Sequence, residues 1–288
     1  MSIGIPAFNA ERYLGETIEC FLAQTFTDIE VIVADNASTD GTEAIARSYA
    51  LRDPRVHYVR RGTNVGAARN YSALVALARA PYFRWAAADD LSGPTSIERC
   101  LAVLEREPHV VLAYPKTALI DADGNWLSDY DDGLHIVHDH PSVRFEQLLH
   151  NVRLCNAPYG LMRTSVVRQT AMMGVFVGSD IAFLAEMALR GKLWEVPERL
   201  FMRRMHGRAY SAMTEDEQRR FYDPAGGERL RLVPGWRMLG AHVQSAFRTP
   251  LSLRERARVL KILARNAVWS RDTLGLELLG LARRSRRV

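Results

Sequence analysis

Residues 29–42 read IEVIVADNASTDGT, and this stretch decides the fold class. Its first seven residues are apolar almost throughout, as expected for a parallel strand that helices cover on both faces. The Asn-Ala-Ser-Thr-Asp-Gly segment that follows has the composition of a turn. Ser38 or Thr39 is suited to cap a helix running through Tyr49. The stretch therefore predicts a strand, a turn and a helix, which together form half of a βαβ unit.

The same alternation continues on both sides of this stretch. Further strands are predicted in SIGIPAFN, VHYVR, YFRWAAA and VVLAY, which occupy residues 2–9, 56–60, 82–88 and 110–114. Helical periodicity lies between them, over residues 11–24, 64–78 and 95–107. Strands and helices in this order predict right-handed βαβ units. We expect an α/β fold with a doubly wound, mostly parallel sheet and helices on both faces.

Polar clusters follow each of the first four predicted strands. They are Pro6 to Glu11, Asp35 to Asp40, Asn64 to Asn70, and the pair Asp89–Asp90. In such sheets ligands bind outside the carboxyl ends of the strands, so these clusters share one edge. Each cluster alone could be ordinary turn chemistry, but four of them on one edge indicate a binding site.

The stretch WAAADD, residues 85–90, ends an apolar strand with two adjacent carboxylates. Repulsion and desolvation both oppose such a pair, whereas a divalent cation would stabilise it. Mg²⁺ and Mn²⁺ prefer oxygen ligands and often share them with substrate phosphates. The absence of GxGxxG and GxxxxGK[ST] argues against a dinucleotide cradle and a P-loop. A nucleoside diphosphate bridged by a metal is the better candidate.

Composition sets broader limits. The formal net charge of +5 leaves nucleic acid, anionic lipid and phosphorylated small molecules open as partners. Cys20, Cys100 and Cys155 lack CxxC spacing, which argues against a disulfide framework or a zinc site. No apolar run reaches the roughly 18 residues of a membrane span, and no signal peptide is apparent, so we expect a cytoplasmic protein.

The motifs IPAFNAERYL, CFLAQTFTDIEVIVADNASTDGT, NVGAARN and AAADD resemble, in this order, the signatures of bacterial family-two glycosyltransferases with a GT-A fold. The resemblance covers roughly residues 1 to 210. It implies an inverting enzyme that moves a sugar from a nucleotide-diphosphate donor, most often a UDP-sugar, to a hydroxyl acceptor in cell-surface glycan or polysaccharide synthesis. It also implies Mn²⁺ or Mg²⁺ as cofactor and no nucleic-acid partner.

Carried over residue by residue, the resemblance assigns a nucleotide-binding set. It consists of Pro6, Ala7, Phe8, Asn9, Glu11, Asp35, Asn36, Arg69 and Asp89. Arg69 matches loosely, because the family's spacing between Asn-x-Gly and arginine is longer. The family's Asp-x-Asp-Asp pattern begins here with Ala87, so one ribose or metal contact is missing or supplied from elsewhere.

The resemblance also assigns the metal and the chemistry. Asp89, Asp90 and His206 would hold the metal, and Asp180 would be the catalytic base. As a base, Asp180 would take the proton of the attacking acceptor hydroxyl. Asn156 and Tyr159 are assigned to the donor sugar or the acceptor. One arginine of Arg203, Arg204 and Arg208 is expected to bind phosphate.

The predicted organisation is a GT-A domain over residues 1–215, with a nucleotide-binding half (1–110) and an acceptor-side half (111–215). A basic helical extension follows over residues 216–288, with helices at 236–247 and 253–269. In the second helix an apolar stripe is predicted, comprising Leu253, Ala257, Leu260, Leu263, Ala264, Ala267 and Val268. These helices could pack on the catalytic domain, form a homodimer, or lie on the anionic inner face of the plasma membrane near a lipid-linked acceptor.

Two other functions remain open at this point. A nucleotidyltransferase would share the sheet and the metal, but it should show a Gly-rich basic loop where PAFNAE stands. A non-catalytic nucleotide-sugar binding protein would keep Asp35 and the Asp pair without needing Asp180.

Overall fold

The structure is a computed structural model that describes residues 1–207, 209–224 and 234–285 of the 288-residue chain. The N-terminal half alternates strands and helices, as the sequence predicts. Its elements are β1 (Ser2–Ala7), α1 (Leu14–Leu22), β2 (Glu30–Asp35), α2 (Thr42–Arg52), β3 (Val56–Arg60), α3 (Ala67–Leu77), β4 (Tyr82–Trp85), β5 (Leu91–Ser92) and α4 (Ser96–Arg106).

The second half adds longer strands and a group of helices. Its elements are β6 (Val110–Ile120), β7 (Trp126–Tyr130), α5 (Pro141–Asn151), β8 (Leu161–Arg163), α6 (Thr164–Val167), α7 (Ser179–Arg190), β9 (Lys192–Arg204), α8 (Glu215–Tyr222), α9 (Pro234–Arg248), α10 (Leu253–Trp269) and α11 (Arg271–Ser285).

Among the described residues, nine strands form one sheet in the order β3-β2-β1-β4-β8-β6-β9-β5, with β7 paired to β6. The pairs β1–β2, β2–β3, β1–β4 and β6–β9 are parallel. The pairs involving β5, β7 and β8 are antiparallel. Because β1 to β4 run in the same direction, the loops after them meet at one edge, which confirms the predicted shared edge of the polar clusters.

The core explains why these segments adopt their structures. On α1, Leu14, Ile18 and Phe21 lie on one face at helical spacing and are almost fully buried. On β4, Trp85 is fully buried, and its indole N–H donates to the Tyr71 carbonyl at 3.0 Å. The strand predicted over residues 82–88 ends at Trp85, so the alanines that follow belong to a loop.

The C-terminal helices α9 and α10 pack on the preceding part of the chain, against α7 and α5 respectively. Ala246, Val259 and Leu263 belong to the same buried cluster as Phe183 and Leu184 of α7. Glu186 of α7 also forms an ion pair with Arg248 of α9, at 2.9 Å. Of the alternatives for these helices, the structure shows packing on the preceding part of the chain, while the boundary at residue 215 stays a prediction.

Most of the predicted apolar stripe of α10 is exposed in the structure. The buried apolar residues are Val259, Ile262 and Leu263, whereas Leu253 is 82% exposed and Val268 is 56% exposed. The helix carries apolar residues on two faces, and α5 and α9 cover only one of them. Within the described residues, no helix combines the length and apolar character that crossing a bilayer would require.

Candidate active site

A cleft of about 1150 Å³ lies at the carboxyl ends of β1 to β4 and continues toward α7 and α8. Most of the predicted site residues line it. These are Pro6, Ala7, Phe8, Asn9, Asn36, Asp89, Asp90, Tyr159, Asp180 and His206. Four predicted residues lie outside its wall, namely Glu11, Asp35, Arg69 and Asn156.

The loop after β1 forms one wall and is fixed to the loop after β2. Asn9 has a left-handed backbone, with φ of 50°, and its side-chain oxygen accepts from the Thr39 amide at 2.9 Å. Its own amide donates to the Ser38 hydroxyl at 3.0 Å. Glu11 accepts from the Gly41 amide at 2.7 Å and is exposed beside the cleft. Ser38 and Thr39 therefore hold the β1 loop in place rather than capping α2, which begins at Thr42.

Asn36 connects the second loop to the third. Its side-chain N–H₂ donates to the Asn64 side chain at 2.7 Å, and its oxygen accepts from the Val65 amide at 3.0 Å. Asn70, at the start of α3, donates to the Ala34 carbonyl at 2.8 Å. These bonds leave a rigid wall of uncharged side chains at this end of the cleft.

Asp35 lies beneath this wall and is fully buried. Its carboxylate accepts from the Ser38 amide at 2.8 Å, the Tyr58 hydroxyl at 2.7 Å and Arg60 Nη1 at 2.8 Å. Burial opposes ionisation, but the hydrogen bonds from Ser38 and Tyr58 and the charge of Arg60 hold the pKa of Asp35 below its ordinary value.

Arg69 points away from the cleft wall. Its guanidinium donates to the Val65 carbonyl at 3.0 Å and lies 3.7 Å from the Asp223 carboxylate, just after α8. The same region explains Gly66, whose φ is +86° and whose missing side chain leaves room for the Tyr222 carbonyl. Arg69 and Gly66 therefore dock the end of α8 onto the start of α3.

Asp89 and His206 face each other across the middle of the cleft. The imidazole Nε2 lies 2.9 Å from Asp89 Oδ2, and the two side chains are 11% and 33% exposed for His206 and Asp89 respectively. The His206 ring also packs against Tyr13, with centroids 5.1 Å apart. The predicted metal residues Asp89 and His206 are thus in direct contact, although 117 positions separate them in the chain.

Asp90 is turned inward and is only 7% exposed. Its Oδ1 accepts from the Arg204 amide at 2.8 Å, and its carbonyl accepts from Thr17 at 3.0 Å. Burial, together with the neighbouring charge of Asp89, raises the pKa of Asp90 to about 8. Asp90 therefore fixes the end of β9 beside the Asp89 loop.

The adjacent arginines of β9 have different roles because successive residues of a strand point to opposite sides. Arg204 is 2% exposed, and its guanidinium is saturated by Glu16 at 2.7 Å and the carbonyls of Asp89 and Ala122. Arg203 lines the cleft and donates to neutral acceptors, the Leu154 carbonyl at 2.7 Å and Asn156 Oδ1 at 2.6 Å. Arg208 lies outside the described residues.

Asn156 and Tyr159 are placed differently. Asn156 is 2% exposed and hydrogen bonds to Thr117, Asp132 and Arg203, so it orients the Arg203 guanidinium. Tyr159 lines the cleft, stacks on Phe201 with centroids 5.4 Å apart, and has its hydroxyl 3.4 Å from that of Tyr71.

Asp180 begins α7 in the cleft wall and is half-buried. Beside it, Cys155 has a left-handed backbone with φ of 58°, and burial and the Asp180 carboxylate raise the pKa of its thiol well above the ordinary value. Glu186, the other carboxylate of α7, is 1% exposed and bound to Arg190 and Arg248 outside the cleft. Asp180 is therefore the carboxylate of α7 that can reach a ligand.

Two side chains in the middle of the cleft are suited to hold a divalent cation. Among the described residues, no group of three or more His, Cys, Asp and Glu side chains is arranged to hold a metal. Asp89 and His206 supply one oxygen and one nitrogen, while Asp90 is engaged by the Arg204 amide. Two protein ligands suit a cation that takes its other ligands from substrate phosphates and water.

Residues 2–172, more than half of the chain, match the family described as glycosyl transferase family 2. The chain belongs to this family. It is 33% identical over 130 residues to chondroitin synthase of Escherichia coli, an alignment that spans 45% of the chain and 19% of that enzyme.

The fold is similar to that of two solved proteins. Residues 1–349 of S. aureus TarS, crystallised in complex with UDP, superpose with a TM-score of 0.62 at 17% identity, over 94% of this chain and 72% of that one. The mannosyltransferase PcManGT of Pyrobaculum calidifontis, in complex with GDP-Man and Mn²⁺, gives a TM-score of 0.55 at 16% identity, over 98% and 74%. The predicted GT-A fold is confirmed.

Several residues of the cleft escaped the sequence reasoning. Tyr13 of the cleft contacts His206, and Glu16, which lies outside the cleft lining, binds Arg204; both contacts join residues about 190 positions apart. Cys155 likewise lies beside Asp180, a residue of a different segment. No local pattern reveals such contacts between distant segments.

Proposed function

We propose that the protein is an inverting hexosyltransferase that moves a sugar from a nucleotide-diphosphate donor to a hydroxyl acceptor in bacterial glycan or polysaccharide synthesis. The observation that carries this proposal is a single cleft with three different parts. An uncharged wall lies at one end, the Asp89–His206 pair and Arg203 in the middle, and the Asp180 carboxylate on the far side. These parts suit a nucleoside, a diphosphate and an acceptor hydroxyl in that order.

The nucleoside is proposed to bind against the loop after β1. Phe8 is 48% exposed at the cleft wall and offers a ring face for a nucleobase, while Pro6, Ala7 and Asn36 complete the wall. Asp35 would contribute to nucleotide binding indirectly, because its carboxylate accepts from the Ser38 amide and so holds the segment beneath the nucleoside in place. Glu11 would also act indirectly, because its carboxylate accepts from the Gly41 amide and so supports the loop after β2. Ala87 lines the cleft where the family's pattern begins with a carboxylate, so the ribose has more room there.

The diphosphate is proposed to lie between Asp89, His206 and Arg203. Of the three arginines considered from the sequence, Arg203 is the best candidate to bind the diphosphate, because its guanidinium lines the cleft and contacts only neutral acceptors. The guanidinium of Arg204 is already bound to Glu16. Mn²⁺ or Mg²⁺ would be held by Asp89 and His206, and when bound it would neutralise charge on the departing diphosphate. Asp90 would hold the Asp89 loop in place, because its carboxylate accepts from the Arg204 amide. Arg69 would act by docking α8.

Asp180 is proposed to be the general base. As the acceptor oxygen bonds to the anomeric carbon, the bond from that carbon to the diphosphate oxygen breaks, and the acceptor proton passes to the Asp180 carboxylate. Attack from the face opposite the diphosphate inverts the anomeric configuration. Tyr159 would border the transferred sugar, and Asn156 would act through Arg203.

The outer face of α10 supports a location on the cytoplasmic side of the plasma membrane. Leu253 is 82% exposed, Val268 56% and Trp269 67%, and the exposed basic residues Arg254 and Lys261 lie among them. Apolar and basic residues on one helix face suit an anionic leaflet, where a lipid-linked acceptor would be anchored. Sedimentation with phosphatidylglycerol vesicles but not phosphatidylcholine vesicles is expected. Concentration-dependent dimerisation without vesicle binding would assign the face to a homodimer instead.

The proposed function is tested by binding and turnover. UDP-, GDP- and dTDP-sugars are screened by thermal shift with and without Mn²⁺, since a ligand raises apparent stability by mass action. We take UDP-sugars as the first probes, and we expect a Mn²⁺-dependent shift followed by acceptor-dependent release of nucleotide. Binding of a nucleotide sugar without turnover on any saccharide acceptor would favour a non-catalytic binding protein.

A further inference from the structure

The two proposed metal ligands, Asp89 and His206, both lie in loops. Asp89 follows β4, which ends at Trp85, and His206 follows β9, which ends at Arg204. Strand pairing therefore does not orient either side chain. Because a metal site needs its ligands held in a fixed arrangement, the geometry of this pair must come from contacts with neighbouring side chains.

Tyr13 and Arg204 supply such contacts to both loops. Arg204 Nε donates to the Asp89 carbonyl at 2.9 Å and so holds the Asp89 loop. The ring of Tyr13 packs against the imidazole of His206, with centroids 5.1 Å apart and 50° between the ring planes. The guanidinium of Arg204 also contacts this ring, with Cζ 4.4 Å from the Tyr13 centroid. One tyrosine ring thus connects the loops that carry the two ligands.

The support for this ring comes from the start of α1. Tyr13 occupies the N-cap position of the helix, and the next residue, Leu14, is fully buried in the core. Glu16, in the first turn, binds Arg204 with a distance of 2.7 Å between Oε2 and Nη2. The packed start of α1 can therefore hold the two loops in place.

Tyr13 is an unusual residue for its position. N-cap positions favour Ser, Thr, Asp and Asn, whereas the Tyr13 side chain forms no capping hydrogen bond. Its hydroxyl is buried and has no hydrogen-bond partner within the part of the chain that the structure describes. A residue that meets neither local requirement is expected where a function selects it, and the contacts of its ring indicate that function.

We infer that Tyr13 is a positioning residue for the metal site, whose ring holds the His206 imidazole beside Asp89, and that Arg204, itself bound by Glu16, fixes the ring and the Asp89 loop. This inference rests on the proposed function and adds the residues that support its metal ligands. Tyr13 would act through His206 without binding the cation itself. Partners of this kind typically change metal affinity about 10–100-fold when they are replaced.

The test measures the Kd of the full chain for UDP by calorimetry, once in Mn²⁺ and once in EDTA. The ratio of the two values is the metal-dependent gain in affinity. Tyr13→Leu removes the ring and should lower this gain roughly tenfold, while the Kd in EDTA stays within about twofold of wild type. Tyr13→Phe keeps the ring and should retain the gain within about twofold.

The matched control is Tyr49→Leu. It also removes a tyrosine ring that contacts an arginine, with Arg52 Cζ 4.9 Å from the centroid, but Tyr49 lies outside the cleft. The gain should not change in this variant. Glu16→Gln tests the same support from a side chain that is 55% exposed, so folding is retained. It should lower the gain about two- to fivefold, the range that a partly exposed ion pair allows.

An unchanged gain in folded Tyr13→Leu, or in Glu16→Gln, would overturn the inference. An equal loss in Tyr13→Phe and Tyr13→Leu would also overturn it, because the hydroxyl rather than the ring would then be responsible. Equal affinity of the wild-type protein for UDP in Mn²⁺ and in EDTA would remove the metal site and this inference with it. Failure of the wild-type protein to bind UDP, GDP or dTDP under either condition would instead overturn the proposed function itself.

Discussion

Replacing Glu186 with Ala should destabilise the protein strongly without removing an active-site group. Glu186 is 1% exposed and accepts from the Ala171 amide, the Ser245 hydroxyl, Arg190 and Arg248. The substitution would leave Arg190, whose side chain is 5% exposed, without a charged partner, with only its hydrogen bonds to Gln169 remaining. It would also cut the ion pair between α7 and α9.

The expected loss is about 3–5 kcal/mol of unfolding free energy, the range found when one partner of a buried ion pair is removed. The lower part of this range is the better expectation, because the side chain of Arg248 is 36% exposed and can regain water. In thermal unfolding this corresponds to a decrease in Tm of about 10 °C for a chain of this size. Urea titration followed by circular dichroism would measure the free energy directly.

The matched control is Glu146→Ala, which removes the pair between Glu146 of α5 and Arg265 of α10. Both side chains of this pair are about a third or more exposed, so its loss should cost less than about 1 kcal/mol. Turnover per folded molecule should be preserved in Glu186→Ala, since Glu186 lies outside the cleft. A loss below about 1 kcal/mol, or folded protein without turnover, would refute the account of α7 and return Glu186 to consideration as the base.

Three further outcomes are expected. Asp35→Ala should weaken nucleoside diphosphate binding by about 1–3 kcal/mol and lower Tm, because Ser38, Tyr58 and Arg60 would lose their common hydrogen-bond acceptor. Unchanged affinity in calorimetry would assign Asp35 to the turn alone. Asp89→Asn and His206→Gln should each weaken Mn²⁺-dependent nucleotide binding roughly tenfold or more, and equal affinity with and without Mn²⁺ in the wild-type protein would argue against the metal. Burial lowers the pKa of His242 to about 4. Between about pH 6.5 and 4 the unfolded chain therefore binds a proton at this histidine that the folded chain does not bind. The free energy of unfolding should consequently fall by up to about 3 kcal/mol as the pH decreases through this window. His242→Gln should flatten that decrease in urea titrations at several pH values, and a wild-type slope in the variant would contradict it.

The part of the site that could be predicted depends on strand direction. Once β1 to β4 are parallel, the residues that follow them must share one edge, which is why Phe8, Asn36 and Asp89 were placed together correctly from the sequence. The same reasoning cannot distinguish a residue in the wall from one beneath it. Asp35 ends β2 as predicted, yet its carboxylate faces Tyr58 and Arg60.

The rest depends on contacts between distant segments. Arg203 and Arg204 both line the cleft, and which guanidinium stays open to a ligand depends on how β9 is placed on the sheet, which nothing in the local sequence decides. On α10 the two candidate apolar faces are similar in composition, and packing against α5 buries Val259 and Ile262 rather than Leu253. Helical periodicity identified the helix and its ends but not the face that its neighbours would cover.

The most direct test of the central claim is the turnover of Asp180→Asn with a saccharide acceptor and the nucleotide-sugar donor that the wild-type protein uses. Asn preserves the size of the side chain at the start of α7 but cannot take a proton at neutral pH. We expect turnover to fall by about 10²–10⁴-fold, the usual contribution of a general base, while the Kd for the nucleotide and the Tm stay close to wild type. Near-normal turnover in Asp180→Asn, with the fold intact, would contradict the assignment of Asp180 as the base and with it the proposed mechanism of inverting transfer.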